Sequence, residues 1–229
     1  MILSLDTSTT VCSVALHTLN GELLGCYELY TERTASSRLT MLVQDVVAHT
    51  GRTLADVSAI AVAKGPGSYT GLRIGVSTAK GLCYALDKPL IGINTLAAMT
   101  EQIRAFYAPE TLFCPMIDAR RMEVYCAVYE QGGPELVATN ALVLDEASFA
   151  DLLANNRVVF LGDGSDKARA VLTHSNAIFP DVPVRPSART VGTLAVEAYA
   201  DGRFEDLAAF EPYYLKEFMT TRPKQQVSV

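Results

Sequence analysis

The sequence predicts an α/β protein of two lobes, each built on a mixed sheet flanked by helices. Short apolar runs of strand length alternate with segments that are apolar at helical spacing. Three strand segments precede the first helix, and a second series of strands begins near residue 112. The 229 residues, 49% hydrophobic and 19% charged, suffice for two small cores. We place the first lobe at residues 1–103 and a smaller second lobe at 104–229, whose final segment is a candidate to return to the first lobe.

The first lobe should open with a three-stranded meander. Apolar runs at residues 1–5, 11–16 and 23–30 are the strands, and Asn20-Gly21 is a hairpin turn because both residues tolerate positive φ. Ser36 or Ser37 should cap the first helix, which ends at Gly51. The remaining predicted elements are a strand at 58–63, a helix at 70–86, a strand at 89–93 and a helix from 95 to about 106.

The second lobe should contain fewer elements. Strands are expected at 113–117 and 123–129, a short helix at 145–154 capped by Asp145, a strand at 158–161 and a helix at 187–200. Residues 219–229 form a polar tail that we expect to lack fixed structure.

The segment 65–75, GPGSYTGLRIG, lies between a predicted strand and a predicted helix. A strand, a glycine loop and a helix start resemble a phosphate-binding turn. No Lys-Ser/Thr pair follows the glycines at Walker spacing, and from local chemistry alone we favour a tight loop that simply leads into the helix.

Further loops place acidic, hydroxyl and glycine residues at strand ends. In the actin, hexokinase and Hsp70-type ATPase superfamily, such loops face each other across a cleft and hold phosphates. The candidates for reduced nucleotide or phosphate loops here are Asp6, Thr7, Ser8, Thr9, Asp118, Arg120, Gly162, Asp163 and Gly164. Ser8 stands where such loops have glycine, and Asp118 is followed by Ala-Arg-Arg, so an ordinary turn role is about as well supported.

Four segments in order carry a family resemblance: LDTS at 5–8, GPGSYTGLRIG at 65–75, IDARRMEVY at 117–125 and EPYYLK at 211–216. Together they closely resemble the TsaB (YeaZ) family, whose members are often labelled glycoprotease-like. The resemblance implies a two-lobed actin-like ATPase (ASKHA) fold. It also implies an accessory subunit that binds and activates TsaD, the catalytic paralogue, which works with the ATPase TsaE. That machinery transfers a threonylcarbamoyl group to the tRNA adenosine next to the anticodon.

The same resemblance sets expectations for ligands and partners. The chain alone should be a homodimer, should meet tRNA only through the complex and should require no cofactor, with at most weak or complex-dependent ATP/ADP binding. A net charge of −6 and a pI of about 5.1 also disfavour direct nucleic-acid binding. The chain begins without a basic leader and has no apolar run of membrane-spanning length, so we expect a cytoplasmic protein.

Histidine usage favours a partner over an enzyme. TsaD-type proteins bind a metal through a His-x-x-x-His pair, whereas the equivalent stretch here, residues 32–38, contains no histidine. His17, His49 and His174 match no metal-site spacing, and we expect each at the surface or at a helix end. We therefore predict no metal site and no catalytic residue.

Small residues on the second helix suggest where a partner could approach. Gly71, Gly75 and Ala79 recur every four residues and would let another helix pack closely, although an internal strand layer is an equal alternative. Replacing Gly75 with Leu should then weaken the complex. The candidate interface residues, some of which must face the core, are Leu39, Leu42, Val43, Val46, Gly71, Leu72, Gly75, Val76, Ala79 and Tyr84.

Two enzyme hypotheses remain as alternatives. A small-molecule kinase of the same superfamily would use Asp6 as a metal-associated carboxylate and Asp118 as the base, but sugar kinases of this fold are usually about twice this length. A peptidase has the weaker case, because no nucleophile with an identifiable base is found.

Overall fold

The computed structural model describes residues 1–31 and 35–215 and contains two five-stranded mixed sheets with helices packed on them. The strands are β1 (Ile2–Asp6), β2 (Cys12–His17), β3 (Leu23–Leu29), β4 (Ala59–Gly65), β5 (Leu90–Asn94), β6 (Leu112–Asp118), β7 (Glu123–Tyr129), β8 (Glu135–Val143), β9 (Val158–Leu161) and β10 (Ala177–Ile178). The helices are α1 (Ala35–His49), α2 (Tyr69–Leu86), α3 (Thr95–Glu101), α4 (Ala150–Asn155), α5 (Ser165–Val171) and α6 (Ala188–Ala200).

The two sheets repeat one topology. The first has the order β3-β2-β1-β4-β5 and the second β10-β9-β6-β7-β8, which is the same order read from the opposite edge. In each sheet the first three strands are antiparallel and the last two pair in parallel. The predicted fold class of two mixed sheets flanked by helices is confirmed, and the edge strand β10 of the second sheet has only two residues.

Helices cover both faces of the first sheet, so β1 and β2 are buried along their whole length. Helices α1 and α2 pack on one side and α6 on the other. Helix α6 begins where Ser187 accepts a hydrogen bond from the backbone N–H of Arg189, and the N–H of Ala188 donates to Ser13 Oγ on β2 at 2.8 Å. A C-terminal helix therefore completes the sandwich around the N-terminal sheet.

The contact between α6 and the sheet buries His17, so the expectation that this residue lies at the surface or at a helix end is wrong. The His17 side chain on β2 is 1% exposed, and its ring lies so close to Gly192 that a Cβ there would be 2.2 Å from Nδ1. Burial, and then the charge of Arg189, lower the pKa of this imidazole. His49 ends α1 and His174 is exposed, as expected.

The segment after α6 continues over the first sheet and links it to the second. The N–H of Glu205 donates to the carbonyl of Leu90 on β5, and its carboxylate pairs with Lys64 at 3.2 Å. The N–H of Tyr213 donates to the carbonyl of Lys64, while its hydroxyl donates to the carbonyl of Thr139 on β8. The lobe limits at residues 103 and 104 stay a prediction, and the two sheets lie on either side of them.

Most predicted elements are present within a residue or two, but three were missed: β8, α5 and the two-residue strand β10. Strand β8 has no clean alternation, because its pairing with β7 is irregular near Val128, and α5 follows directly on a loop that reads as a turn. The helix predicted at 145–154 begins only at Ala150, since Asp145 accepts from the N–H of Ala147 within a separate turn.

Two helix boundaries also differ from the prediction. Helix α1 begins at Ala35, so Ser36 and Ser37 lie inside its first turn and do not precede it. Helix α3 ends at Glu101, and a short 3₁₀ turn at Arg104–Phe106 follows. The predicted polar tail and residues 32–34 of the histidine comparison lie outside the described residues.

Candidate partner-docking face and the closed glycine loop

The glycine segment forms the connection from β4 to α2. Ser68 caps α2 by accepting a hydrogen bond from the N–H of Gly71, and its own N–H donates to the carbonyl of Ser8 at 2.6 Å. Gly65 has φ +115°, a conformation that side chains rarely adopt. The loop after β1 thus sits directly on the N-terminus of α2, where a phosphate would otherwise bind.

Three glycines permit this close approach. A Cβ on Gly67 would lie 2.2 Å from the Ser8 carbonyl oxygen, and one on Gly71 would lie 2.0 Å from the Thr7 carbonyl oxygen. A Cβ on Gly75 would lie 2.4 Å from Thr7 Oγ1. Thr7 Oγ1 donates to the carbonyl of Gly71 at 2.7 Å and fixes the contact. The favoured interpretation of the segment, a tight loop leading into the helix, describes this arrangement.

Asp6 holds the β1 loop in shape from beneath. Its Oδ1 accepts hydrogen bonds from the N–H and the hydroxyl of Ser8 at 2.8 and 2.7 Å. Its Oδ2 is buried without a partner among the described residues, and burial raises the pKa of this carboxyl from 3.8 to about 6. Thr9 closes the turn by accepting from the N–H of Val11. The polar groups of this loop are therefore directed largely at the loop itself and at α2.

The corresponding loops of the second lobe meet each other. The N–H of Asp118 donates to Asp163 Oδ1 at 3.0 Å, and Lys167 Nζ lies 2.9 Å from Asp118 Oδ1. Partial burial opposes ionisation of Asp118, but the hydrogen bond and charge of Lys167 outweigh it and lower its pKa. Burial raises the pKa of Asp163. The exposed Arg120 donates its N–H to Asp118 Oδ1 from a backbone with φ 73°.

The two glycines in this region serve packing. A Cβ on Gly162 would lie 2.2 Å from the Met116 carbonyl oxygen, and one on Gly164 would lie 2.9 Å from the Met116 Cβ. Within the described parts of the chain, no hydrogen bond or ion pair joins the Asp6 loop to the Asp118 and Asp163 loops. Within the second lobe, the structure brings the predicted loops at Asp118 and Asp163 together. A nucleotide role for these loops, or for the Asp6 loop of the first lobe, stays a prediction.

The interface candidates fall into two groups. Most are buried in this chain, so their side chains offer no free surface to a partner: Leu39, Leu42, Val43, Val46, Gly71, Leu72, Gly75, Val76 and Ala79. Gly71 and Gly75 meet the β1 loop, which is the internal alternative and not a second helix. Tyr84 alone is exposed, at 84%. The expectation that Gly75→Leu weakens a complex stays a prediction, and because a side chain there would meet Thr7 within this chain, the variant could not separate an effect on docking from one on folding.

The exposed sides of α1 and α2 were missed as a unit. The two helices contact each other, and their outward residues form one surface, here named the docking face: Met41, Gln44, Asp45, Ala48, Arg73, Ser77, Gly81 and Tyr84. On α2 these residues follow the same four-residue spacing as the glycines but lie on the opposite side of the helix. A helical projection of α2 that separates Arg73 and Ser77 from Gly71 and Gly75 would have found them.

Neither a metal-binding cluster nor a membrane-spanning helix is found in the described part of the chain. Residues 1–31 and 35–215 contain no group of three histidine, cysteine or acidic side chains placed to hold a metal ion. Within the same residues, no helix combines the length and apolarity needed to cross a bilayer.

Comparisons with known proteins agree on the fold. The family model described as "TsaD: tRNA N6-adenosine threonylcarbamoyltransferase" matches residues 28–210. A crystal structure of an uncharacterized Pseudomonas aeruginosa protein with similarity to peptidase YEAZ has a TM-score of 0.82 at 29% identity, covering 94% of this chain and 99% of that one. The ADPNP-bound activator of 2-hydroxyisocaproyl-CoA dehydratase from Clostridium difficile has a TM-score of 0.51 at 12% identity over 88% of this chain and 96% of its own, which shows the fold alone. The chain thus has an actin-like ATPase fold and belongs to the family that this model describes.

A full-length relative gives the narrower assignment. The tRNA threonylcarbamoyladenosine biosynthesis protein TsaB of Escherichia coli (strain K12) is 33% identical over 221 residues, which cover 94% of each chain. The chain belongs to the TsaB (YeaZ) family.

Proposed function

We propose that this chain is a non-catalytic subunit of tRNA threonylcarbamoyladenosine biosynthesis that binds the catalytic paralogue TsaD through the docking face and activates it. The observation that carries the proposal is Tyr84, a large aromatic side chain 84% exposed on two packed helices. Met41 on α1 adds a second exposed apolar side chain, 46% exposed. Aromatic residues of this kind supply most of the binding energy in protein interfaces.

The shape of the docking face suits a helix. A Cβ on Gly81 would meet nothing within 4 Å, so the surface beside Tyr84 is open. An approaching helix could pack against Gly81 and Ser77 while Tyr84 contacts its flank. The same face would hold two copies of the chain together in a homodimer when the partner is absent.

The closed loop after β1 supports a role in activation without catalysis. Ser8 and Thr7 occupy the start of α2 that an ATPase would use for phosphate, and Asp6 is buried beneath them. The chain would therefore act by binding one conformation of TsaD preferentially, which raises the population of that conformation. Nucleotide binding by the chain is expected to be weak or to depend on the complex, and tRNA binding to depend on TsaD.

The kinase alternative has less support from this geometry. Its metal-associated carboxylate, Asp6, is 1% exposed, and its base, Asp118, is held by Lys167 and by the N–H of Arg120. The first carboxylate is therefore out of reach of a solvent-borne metal, and the second is already engaged by two donors.

The test is reconstituted modification of tRNA with TsaD, TsaE and the threonylcarbamoyl-adenylate synthase, with and without this chain. We expect the modified nucleoside, measured by mass spectrometry, to depend on the chain, while the chain alone hydrolyses negligible ATP. Equal modification without it would reject the proposal and favour a nucleotide-dependent enzyme.

A pair of variants locates the contact. Met41→Asp combined with Tyr84→Asp should abolish the stimulation, because two carboxylates would be buried in the interface without partners. Val182→Asp is the matched control, since Val182 is 63% exposed in a loop outside the docking face. Equal loss in both variants would show an effect on folding instead of docking.

A further inference from the structure

The two edge strands of the first sheet differ in whether another segment of the chain pairs with their outer side. At the β5 edge, Glu205 pairs with Leu90 and covers the strand. At the β3 edge, the backbone of Leu23–Leu29 makes, among the described residues, hydrogen bonds only to β2. Unpaired N–H and C=O groups along an edge are a template for another strand.

Strand β3 also carries few of the devices that normally protect an edge. Its sequence, LLGCYEL, contains no proline and no lysine. The one irregularity in its pairing with β2 lies at the Leu23 end, so the stretch from Gly25 to Leu29 pairs regularly. This stretch is regular enough to accept a partner strand over about five residues.

A groove of about 1020 Å³ lies on the α6 side of this strand, lined by the alternate residues Cys26, Glu28 and Tyr30. Leu23 and Tyr30 both line the groove, and the seven steps of extended chain from one to the other span about 23 Å. Helix α6 forms the opposite wall through Arg189 and Thr193, and the exposed Phe106 lies at the rim. The groove has the length of an extended peptide.

The two acidic side chains that line the groove, Glu28 and Glu101, already have hydrogen-bond or ion-pair partners. The Glu28 carboxylate accepts hydrogen bonds from the hydroxyls of Ser187 and Tyr30. Glu101 forms an ion pair with Arg104 at 3.1 Å. Both acidic groups that line the groove are therefore engaged by neighbouring donors.

The two arginines of the groove lack such partners. Neither Arg185 nor Arg189 forms an ion pair with a carboxylate of residues 1–31 or 35–215, and both are exposed. Arg185 lies over the Tyr30 ring at 5.4 Å, and the charge of Arg189 acts on the Cys26 thiol, where it opposes the burial that raises the thiol pKa. The two charges therefore lie near positions four residues apart along the chain that forms and follows β3. Four residues of extended chain span about 13 Å.

We propose that β3 accepts an extended acidic segment of a partner protein as a sixth strand of the first sheet. The segment would carry carboxylates at positions i and i+4, which point to the same side of a strand and reach Arg185 and Arg189. Helix α1 and helix α6 both contact β3 and belong to different core clusters, so the added strand would extend a sheet that has a helix on each face. The site shares no residue with the docking face.

The probe is a fluorescent nine-residue peptide in which valine and threonine alternate, with glutamate at positions i and i+4. Binding to the isolated chain is measured by anisotropy, and the amide resonances of Gly25–Leu29 report its location by NMR. We expect those resonances to shift, and a peptide of the same composition with glutamates at i and i+3 to bind at least about tenfold more weakly. Methylation of the backbone nitrogens that face β3 should abolish binding, because it removes the strand donors.

Variants of the protein test the charges. Arg185→Gln combined with Arg189→Gln should weaken binding of the i, i+4 peptide at least about tenfold, while Arg52→Gln, at an exposed arginine in the loop that follows α1, should leave it unchanged. The proposal is overturned if the i and i+3 peptide binds equally well, if methylation has no effect, or if the resonances of Gly25–Leu29 do not move at millimolar peptide. Concentration-dependent pairing of the chain with itself at β3 would also overturn it, in favour of a second copy as the occupant.

Discussion

Helix α2 carries two stripes of residues with the same four-residue spacing, one buried within the chain and the other exposed. On one side, Gly71 and Gly75 are pressed against the loop after β1, with space for no additional carbon atom. On the other side, Ser77 and Gly81 are exposed, and a Cβ added to Gly81 would have no neighbour within 4 Å. Small residues at four-residue intervals thus permit close approach, but they do not say whether the approaching group belongs to the same chain.

The difference between the stripes is set by what precedes the helix. The buried carbonyl of Ser8 needs a hydrogen-bond donor, and the N–H of Ser68 at the start of α2 supplies one, at a separation of the two segments that only glycine allows. The buried stripe therefore stabilises the fold, while the exposed stripe is free for a partner. Substitutions on the two stripes should separate stability from binding.

The largest effect is expected on the buried stripe. Gly71→Ala places a Cβ 2.0 Å from the Thr7 carbonyl oxygen, a backbone atom that cannot move without breaking the hydrogen bond between Ser68 and Ser8. We expect a loss of about 3 kcal/mol or more in the free energy of unfolding, at the upper end for overpacked sites. Urea denaturation followed by circular dichroism measures it. An unchanged midpoint would show that the β1 loop is not packed on α2 as described.

The next largest effect should come from Asp6, as a dependence of the free energy of unfolding on pH. Burial raises the pKa of Asp6 from 3.8 to about 6, so the folded protein holds this proton more tightly than the unfolded chain. The contribution of Asp6 to stability is therefore greatest below pH 3.8 and falls as the pH rises to about 6. The whole change is about 3 kcal/mol.

Asp6→Asn isolates this contribution. The free energy of unfolding of the variant relative to the parent should increase between about pH 4 and pH 7. Parallel curves for parent and Asp6→Asn would mean that the carboxyl is not buried in solution.

Substitutions on the exposed stripe should change the affinity for TsaD and leave the free energy of unfolding nearly unchanged. Tyr84→Ala removes an 84% exposed ring, so its effect on unfolding should stay within about 0.5 kcal/mol. Its effect on TsaD affinity should be about 2 kcal/mol, roughly thirtyfold in Kd, measured by calorimetry. Tyr213→Ala, which removes a ring that reaches Thr139 instead, serves as the comparison. A large loss of stability for Tyr84→Ala would contradict its exposure.

The sequence predicted the first lobe more accurately than the second for physical reasons. Strands β1, β2 and β4 are mainly apolar and buried along nearly their whole length, and Gly21 and Gly51 lie in turns with positive φ, so local pattern and tertiary structure agree. In β8, four successive exposed residues and an irregular register remove the period-2 signal. Helix α5, with seven residues, is too short to show a reliable helical period.

The candidate site was predictable in part. The spacing of Gly71 and Gly75 identified a close contact, but which surface filled it depended on the loop after β1, which lies about sixty residues away in the chain. His17 shows the same limit, because its burial is caused by Gly192 on a helix near the other end of the sequence. Local pattern shows that a surface is suited to contact, and only the tertiary arrangement shows what occupies it.

The smallest effect is also the most direct comparison of the two stripes. Gly81→Ala adds the same methyl group to the same helix as Gly71→Ala, but into open space. Because alanine favours the helix and restricts the unfolded chain, the variant should be more stable than the parent by about 0.5 to 1 kcal/mol. If the docking face receives a helix at Gly81, the added methyl should at the same time weaken TsaD binding, so stability and affinity would change in opposite directions. A gain in stability with unchanged affinity would move the contact along α2 towards Arg73, and a loss of stability would show that Gly81 is not open in solution.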